Sequence, residues 1–125
     1  MIEKPVQRVH DVMASPRTMD LKIAPKGKYN RERWGWCDAL FMAPPVYAQL
    51  ALLNKDQKLL DFAFSEYRAT TGLLYNPEEK LFYRDIQWIG TMEPSGKKLF
   101  WGRGNGWVYA GLAMMLEFTP KNTWI

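Results

Sequence analysis

The sequence predicts a mainly α-helical fold that carries one small β-hairpin. Three observations lead there. Apolar residues recur at three- and four-residue spacing in four stretches, prolines and glycines fall between those stretches, and one aromatic, β-branched run interrupts the helical pattern. Taken in order, Val6, Val9, Val12 and Met13 give one apolar face to a short helix over residues 2–13, which Ser15-Pro16 ends. From Pro16 to Arg33 two prolines, a glycine and many basic residues show no period, so a long exposed loop is expected there.

Leu40 to Leu53 is dense in apolar residues, and Pro44-Pro45 fit the first turn of a helix. Cys37 to Ala43 is then a tight lead-in or an earlier helical turn. Asn54-Lys55-Asp56 supplies a break and a cap before a second helix over 57–74, with Leu59, Leu60, Phe62, Ala63, Tyr67 and Leu73 on its apolar side. The short connection makes the two an αα-hairpin. Beyond Asn76-Pro77, Leu81 to Ile89 reads as a strand, Pro94-Ser95-Gly96 as a turn and Lys98 to Trp101 as the returning strand. Gly102 to Gly106 reads as a glycine-rich loop opening a helix from about Asn105 to Phe118, closed by Thr119-Pro120.

Composition narrows the function classes. With 47% hydrophobic residues in 125 the chain has ample material for a core, and its formal charge of +4 is spread along the sequence, so nothing in it demands nucleic acid. A single Cys37 and a single His10 exclude an internal disulfide framework and a zinc site built on several Cys or His ligands. His10 has no visible partner and reads as structural. No run approaches the roughly eighteen apolar residues of a membrane span, and Met1-Ile2-Glu3-Lys4-Pro5 lacks the apolar core of a signal peptide. The chain reads as soluble, in a cytoplasmic or periplasmic setting that the sequence does not distinguish. Chemistry must therefore run on carboxylates and guanidiniums, and six tryptophans call for a recognition face as well as a core.

Two tryptophan-rich segments each precede a helix, Trp34-Gly35-Trp36-Cys37-Asp38 and Trp101-Gly102-Arg103-Gly104-Asn105-Gly106-Trp107, and both can project from one end of a helical array. Asp38 stands two residues after Trp36 and four before Met42, sharing a face with Met42 if the segment is helical. A carboxyl set between such side chains is partly desolvated, which favours the proton-donating form a general acid needs; the alternative is an N-cap aspartate. In the second segment small residues let the backbone come close to a ligand, Trp101 and Trp107 offer flat faces to a sugar ring, and Arg103 offers a fork suited to a carboxylate. A turn with core tryptophans is the alternative, and the glycine spacing fits neither common phosphate loop. Tyr83, Arg84 and Asp85 with Trp88 form a third cluster, equally explained by a surface ion pair with cross-strand aromatic packing.

The strings Arg33-Trp34-Gly35-Trp36-Cys37-Asp38-Ala39-Leu40-Phe41-Met42-Ala43-Pro44-Pro45 and Phe100-Trp101-Gly102-Arg103-Gly104-Asn105-Gly106-Trp107 resemble the two signature segments of glycoside hydrolase family 105, the unsaturated rhamnogalacturonyl hydrolases, and of the related family 88 of unsaturated glucuronyl hydrolases. The likeness extends more loosely over nearly the whole chain. It implies a partial (α/α)6 barrel of helical hairpins, of which residues 1–125 form a single segment incomplete at both ends, since six hairpins need well over roughly 200 residues. It also implies hydration of the C4-C5 double bond of a terminal unsaturated uronic acid, in oligosaccharides left by polysaccharide lyases, with no cofactor or metal.

By motif position the resemblance makes Asp38 the general acid and base. Trp101, Arg103 and Trp107 bind the uronate, Trp36 and Met42 shape its pocket, and Tyr83 and Asp85 are further candidates. The expected partners are an unsaturated uronate oligosaccharide and either the remainder of the barrel or a second copy of the chain, with no nucleic acid and no membrane. Taken alone the segment is expected to be inactive. Three other readings stay open: a non-catalytic carbohydrate-binding helical protein, a basic aromatic single-strand nucleic-acid binder, and a structural helical domain that would keep the two tryptophan segments far apart.

Overall fold

A computed structural model describes residues 3–15 and 34–121 of the chain; the expected loop from Pro16 to Arg33 lies outside them. Helix α1, Glu3–Ala14, follows the valine spacing, and Val9 and Met13 reach the edge of the core. Its outer face is tied by Gln7 Nε2 donating to Asp11 Oδ1 at 2.9 Å, one turn apart, and His10 is exposed.

The two prolines act as the sequence predicts. Helix α2, Ala39–Met42, is a single turn, and α3, Pro44–Asn54, restarts with Pro at its first positions because a residue lacking an N–H costs nothing there. Lys55 then turns left-handed (φ 52°), Asp56 Oδ1 accepts from Lys58 N at 3.0 Å, and α4, Gln57–Leu74, returns against α3. Ala48, Ala51, Leu59, Leu60 and Ala63 fill the seam of this hairpin. Trp34 closes its end, edge-on to Tyr47 at 5.9 Å and Phe62 at 6.0 Å. The Thr70 hydroxyl donates to Trp34 O at 2.7 Å inside the core, so the first tryptophan segment is anchored on α4 before it turns toward the surface.

Two expectations are corrected in the second half. The hairpin pairs β1, Tyr75–Asn76, with β2, Leu81–Phe82, in the register Tyr75↔Phe82 and Asn76↔Leu81, rather than a long strand from Leu81 to Ile89 with Lys98 to Trp101. Side-chain capping is the reason. Asn76 Oδ1 accepts from Glu78 N and Glu79 N to build the turn, and Asp85 Oδ1 accepts from Gln87 N to start a 3₁₀ turn over Ile86–Trp88, which takes the backbone off the strand. The Pro94-Ser95-Gly96 turn forms as expected, with Gly96 at φ 80° and a lone bridge between Met92 and Lys98; Lys98 also pairs with Glu78 across the hairpin.

The second correction is that the glycine-rich segment is no loop. Helix α5 runs Gly102–Phe118 and takes all three glycines into its first turns. Packing overrides their poor helix propensity. A Cβ at Gly104 would lie 2.2 Å from the Trp101 ring and 2.8 Å from Cys37 Sγ, and one at Gly111 would lie 2.3 Å from Leu40 O. Helix α5 therefore lies directly on the backbone of α2 and also packs against α3. Among the described residues no helix is long and apolar enough to cross a membrane.

Candidate active site

Three segments converge beside the start of α5. Trp36 bridges Asp85, and Cys37 N donates to Arg84 O at 2.9 Å, so the first tryptophan segment runs along residues 84 and 85. On the other side Asn105, buried on α5, uses its amide as a substitute strand: Phe82 N donates to Oδ1 at 2.8 Å, and Nδ2 donates to Phe82 O and Trp101 O at 3.0 Å. Sequence reading took Asn105 only as a helix start. A weak helix former between two glycines, inside an otherwise apolar helix, is the only signal that it had a tertiary partner.

These clamps enclose a pocket of about 420 Å³ walled by Trp36, Arg84, Trp88, Phe100, Trp101 and Arg103. Its size is within the range of small-molecule sites. Trp36, Trp101 and Arg103 are thus brought together, far apart in sequence, and the reading that keeps the two tryptophan segments apart is excluded. Arg103 lies over the Trp101 ring at 5.1 Å. Arg84 lies between two indoles, 4.6 Å from Trp36 and 4.8 Å from Trp88.

Asp38 is half-buried at the N-cap position of α2, but its side chain makes no cap hydrogen bond, so helix capping does not account for it. It is not among the pocket-lining residues; it follows Cys37, whose Sγ meets the Gly104 position next to Arg103. Asp38 and Arg103 flank that contact from separate segments of the chain and form no ion pair with each other. Trp107, one turn beyond Arg103, packs on Phe41 at 4.7 Å and is 36% exposed, while Met42 is 56% exposed; both stand on the α2–α5 face outside the pocket.

In the third cluster Tyr83 and Asp85 are buried, and Arg84 and Trp88 half-buried. Asp85 is 2% exposed and accepts from Arg84 Nε at 2.8 Å and from Gln87 N at 2.9 Å. Tyr83 stacks on Phe100 at 4.8 Å and its hydroxyl accepts from Asn76 Nδ2 at 3.2 Å, which makes it a wall of the hairpin. Arg84 and Trp88, ranked low in the sequence, belong to the pocket; no local pattern announces a guanidinium whose aromatic partner Trp36 lies 48 residues away.

Cys37, fully buried at this junction, has its thiol pushed up to about 12, first by burial, then by the neighbouring charges of Asp38 and, less, Asp85. In the unfolded chain the thiol ionises near 9.0, so below that pH both states keep the proton. Between there and about 12 only the unfolded state releases it, and stability falls as pH rises, by up to about 1.4 kcal/mol per pH unit. Urea denaturation followed across this window is expected to show that slope, and Cys37→Ala to flatten it. A slope unchanged by the substitution would place its origin elsewhere, as in Tyr67, whose phenol burial also pushes up to about 12.

The chain is similar to proteins that are already known. Two curated relatives are both unsaturated 3S-rhamnoglycuronyl hydrolases. The one from Alteromonas sp. is 36% identical over 94% of this chain and 31% of its own length, and the one from Formosa agariphila is 47% identical over 71% and 25%. This chain therefore spans between a quarter and a third of those relatives. A solved glycosyl hydrolase of family 88 from Bacteroides vulgatus superposes with a TM-score of 0.81 at 27% identity, over 97% of this chain and 32% of that one. The helices described above are accordingly part of an (α/α)6 barrel with a small β-hairpin. The family profile named Glycosyl Hydrolase Family 88 matches residues 1–124, and the chain belongs to that family.

Proposed function

We infer that this chain supplies the substrate pocket and the proton-transferring carboxyl of a hydrolase acting on terminal unsaturated uronic acids of lyase-generated oligosaccharides. The observation that carries the reading is the indole-walled pocket holding Arg103 beside the segment that ends in Asp38. Arg103 pairs with the uronate carboxylate through its fork of donors, and the Trp36 and Trp101 rings cover the sugar's C–H faces. Asp38 delivers a proton to C4 of the vinyl ether while water adds at C5. The hemiketal so formed opens by breaking its C5–ring oxygen bond, which leaves a hemiacetal at C1 that expels the leaving sugar. Because the double bond is hydrated first, two carboxylates flanking the anomeric carbon are not needed. The names of the two relatives favour a sulfated rhamnose as the leaving sugar.

The same reading makes residues 1–125 one segment of the barrel. Trp107, Tyr109, Leu112 and Leu116 on α5 and Val46 and Leu53 on α3 are exposed apolar side chains, a surface that the remainder of a barrel or a second chain covers. Two outcomes are expected of the isolated chain. An unsaturated uronate disaccharide quenches its tryptophan fluorescence, and the ultraviolet absorbance of the conjugated double bond does not decay catalytically. Absence of quenching overturns the pocket assignment, and catalytic decay overturns the need for the rest of the barrel.

A further inference from the structure

We propose that Arg84 is a second anion-reading group of the pocket, selecting substrates in which the sugar next to the unsaturated uronate carries an oxyanion, either a sulfate ester or a carboxylate. The proposal rests on the reading of the pocket given above and assigns it a specificity residue. Three observations carry it. First, Arg84 is held in one orientation: its guanidinium lies between the Trp36 and Trp88 rings at 4.6 and 4.8 Å, and its Nε donates to Asp85 Oδ2 at 2.8 Å. Such a restrained fork loses little freedom when it binds.

Second, Asp85 is already committed. It is 2% exposed, and its two oxygens take Arg84 Nε and Gln87 N. It therefore fixes the Nε edge of Arg84 and leaves the terminal amino groups without a hydrogen bond to another described residue. The side chain keeps 27% of its surface exposed where it lines the pocket. Third, Arg103 lines the same pocket and, among the described residues, no carboxylate does. A single uronate carboxylate is fully served by one fork, so a second, separately oriented guanidinium among the wall residues is matched by a second oxyanion on the ligand. Orienting Arg84 on two indoles and a buried aspartate for packing alone would be redundant, since the bridge from Trp36 to Asp85 already joins the segments.

The test measures tryptophan-fluorescence titrations of the 125-residue chain with three unsaturated uronate disaccharides, whose second sugar is neutral, carries a carboxylate, or carries a sulfate ester. The wild-type chain is expected to bind at least one anionic disaccharide roughly tenfold more tightly than the neutral one, and the two anionic arms show which oxyanion the site takes. Arg84→Lys, which keeps the charge and the pairing with Asp85 but loses the fork, is expected to bring that ratio close to one. Arg103→Gln is expected to weaken all three about equally. Thermal melting confirms folding of each variant. If Arg84→Lys fails to fold, the double variant Arg84→Gln, Asp85→Asn, which removes both charges together, takes its place with the same expectation. A ratio near one in the wild-type chain, or a ratio unchanged in the folded variant, overturns the role of Arg84 while the pocket assignment stands. Binding of none of the three by the wild-type chain overturns both.

Discussion

Asp38→Asn is expected to lower kcat by on the order of 10²- to 10⁴-fold while leaving KM nearly unchanged, when residues 34–121 replace the matching segment of a full-length family member. Asparagine keeps the shape and polarity of the side chain but has no transferable proton, so what is lost is the step at C4 and not the fit of the sugar. The structure makes the substitution a clean one. The Asp38 side chain makes no cap hydrogen bond, so its replacement is expected to shift unfolding by no more than about 0.5 kcal/mol. Loss of vinyl absorbance under saturating disaccharide measures the effect. Turnover retained at the level of the unsubstituted chimera would remove Asp38 from proton transfer and leave the pocket as a binding surface.

The second large effect is structural. Gly111→Ala is expected to destabilise the chain by about 2–3 kcal/mol, because the new Cβ would sit 2.3 Å from Leu40 O and 2.8 Å from Phe41 Cα. Both obstacles are backbone, so no rotamer change relieves them. Helix α2 must shift off α5, and Leu40, fully buried, shifts with it. Since α2 follows directly on Asp38, the same displacement shifts the proposed acid and disturbs the contact of Cys37 with Gly104. Gly72→Ala is the matched control: its added methyl meets nothing within 4 Å on an exposed face of α4, and removal of a helical glycine there is expected to stabilise by about 0.5–1 kcal/mol. Urea unfolding of the two variants checks both signs, and equal effects would mean that the α2–α5 approach is not a tight one.

Both predictions turn on positions whose importance was unequally visible in the sequence. Asp38 stood out because a carboxylate between Trp36 and Met42 is a local pattern. Gly111 did not, since a glycine within a helix carries no mark of what lies across from it. The helices were legible wherever an apolar face and a proline or cap signal coincided, as at Pro44-Pro45 and at Asp56. The hairpin was displaced because Asn76 and Asp85 spend their side chains on backbone N–H groups, and such local capping competes with strand pairing without altering the aromatic composition that suggested strands. The segment from Gly102 to Gly106 looked like a loop for a different reason: three of its five residues are glycines, poor helix formers, and the packing of Gly104 against another segment is supplied only by the fold.

What the sequence determined by itself was the helical class, the hairpin of α3 and α4, and the residue types able to bind an acidic sugar and move a proton, because periodicity, capping and side-chain chemistry are local properties. What only the tertiary structure decided was which of those residues share a pocket. Arg84 joins Arg103 and Asn105 clamps Phe82 to α5, while Trp107 turns to Phe41 instead. Each of those outcomes brings together residues that are distant along the chain. Contacts at that separation are set by close packing, of the Trp101 ring and the Cys37 thiol on Gly104 and of backbone on backbone at Gly111, which no local pattern encodes.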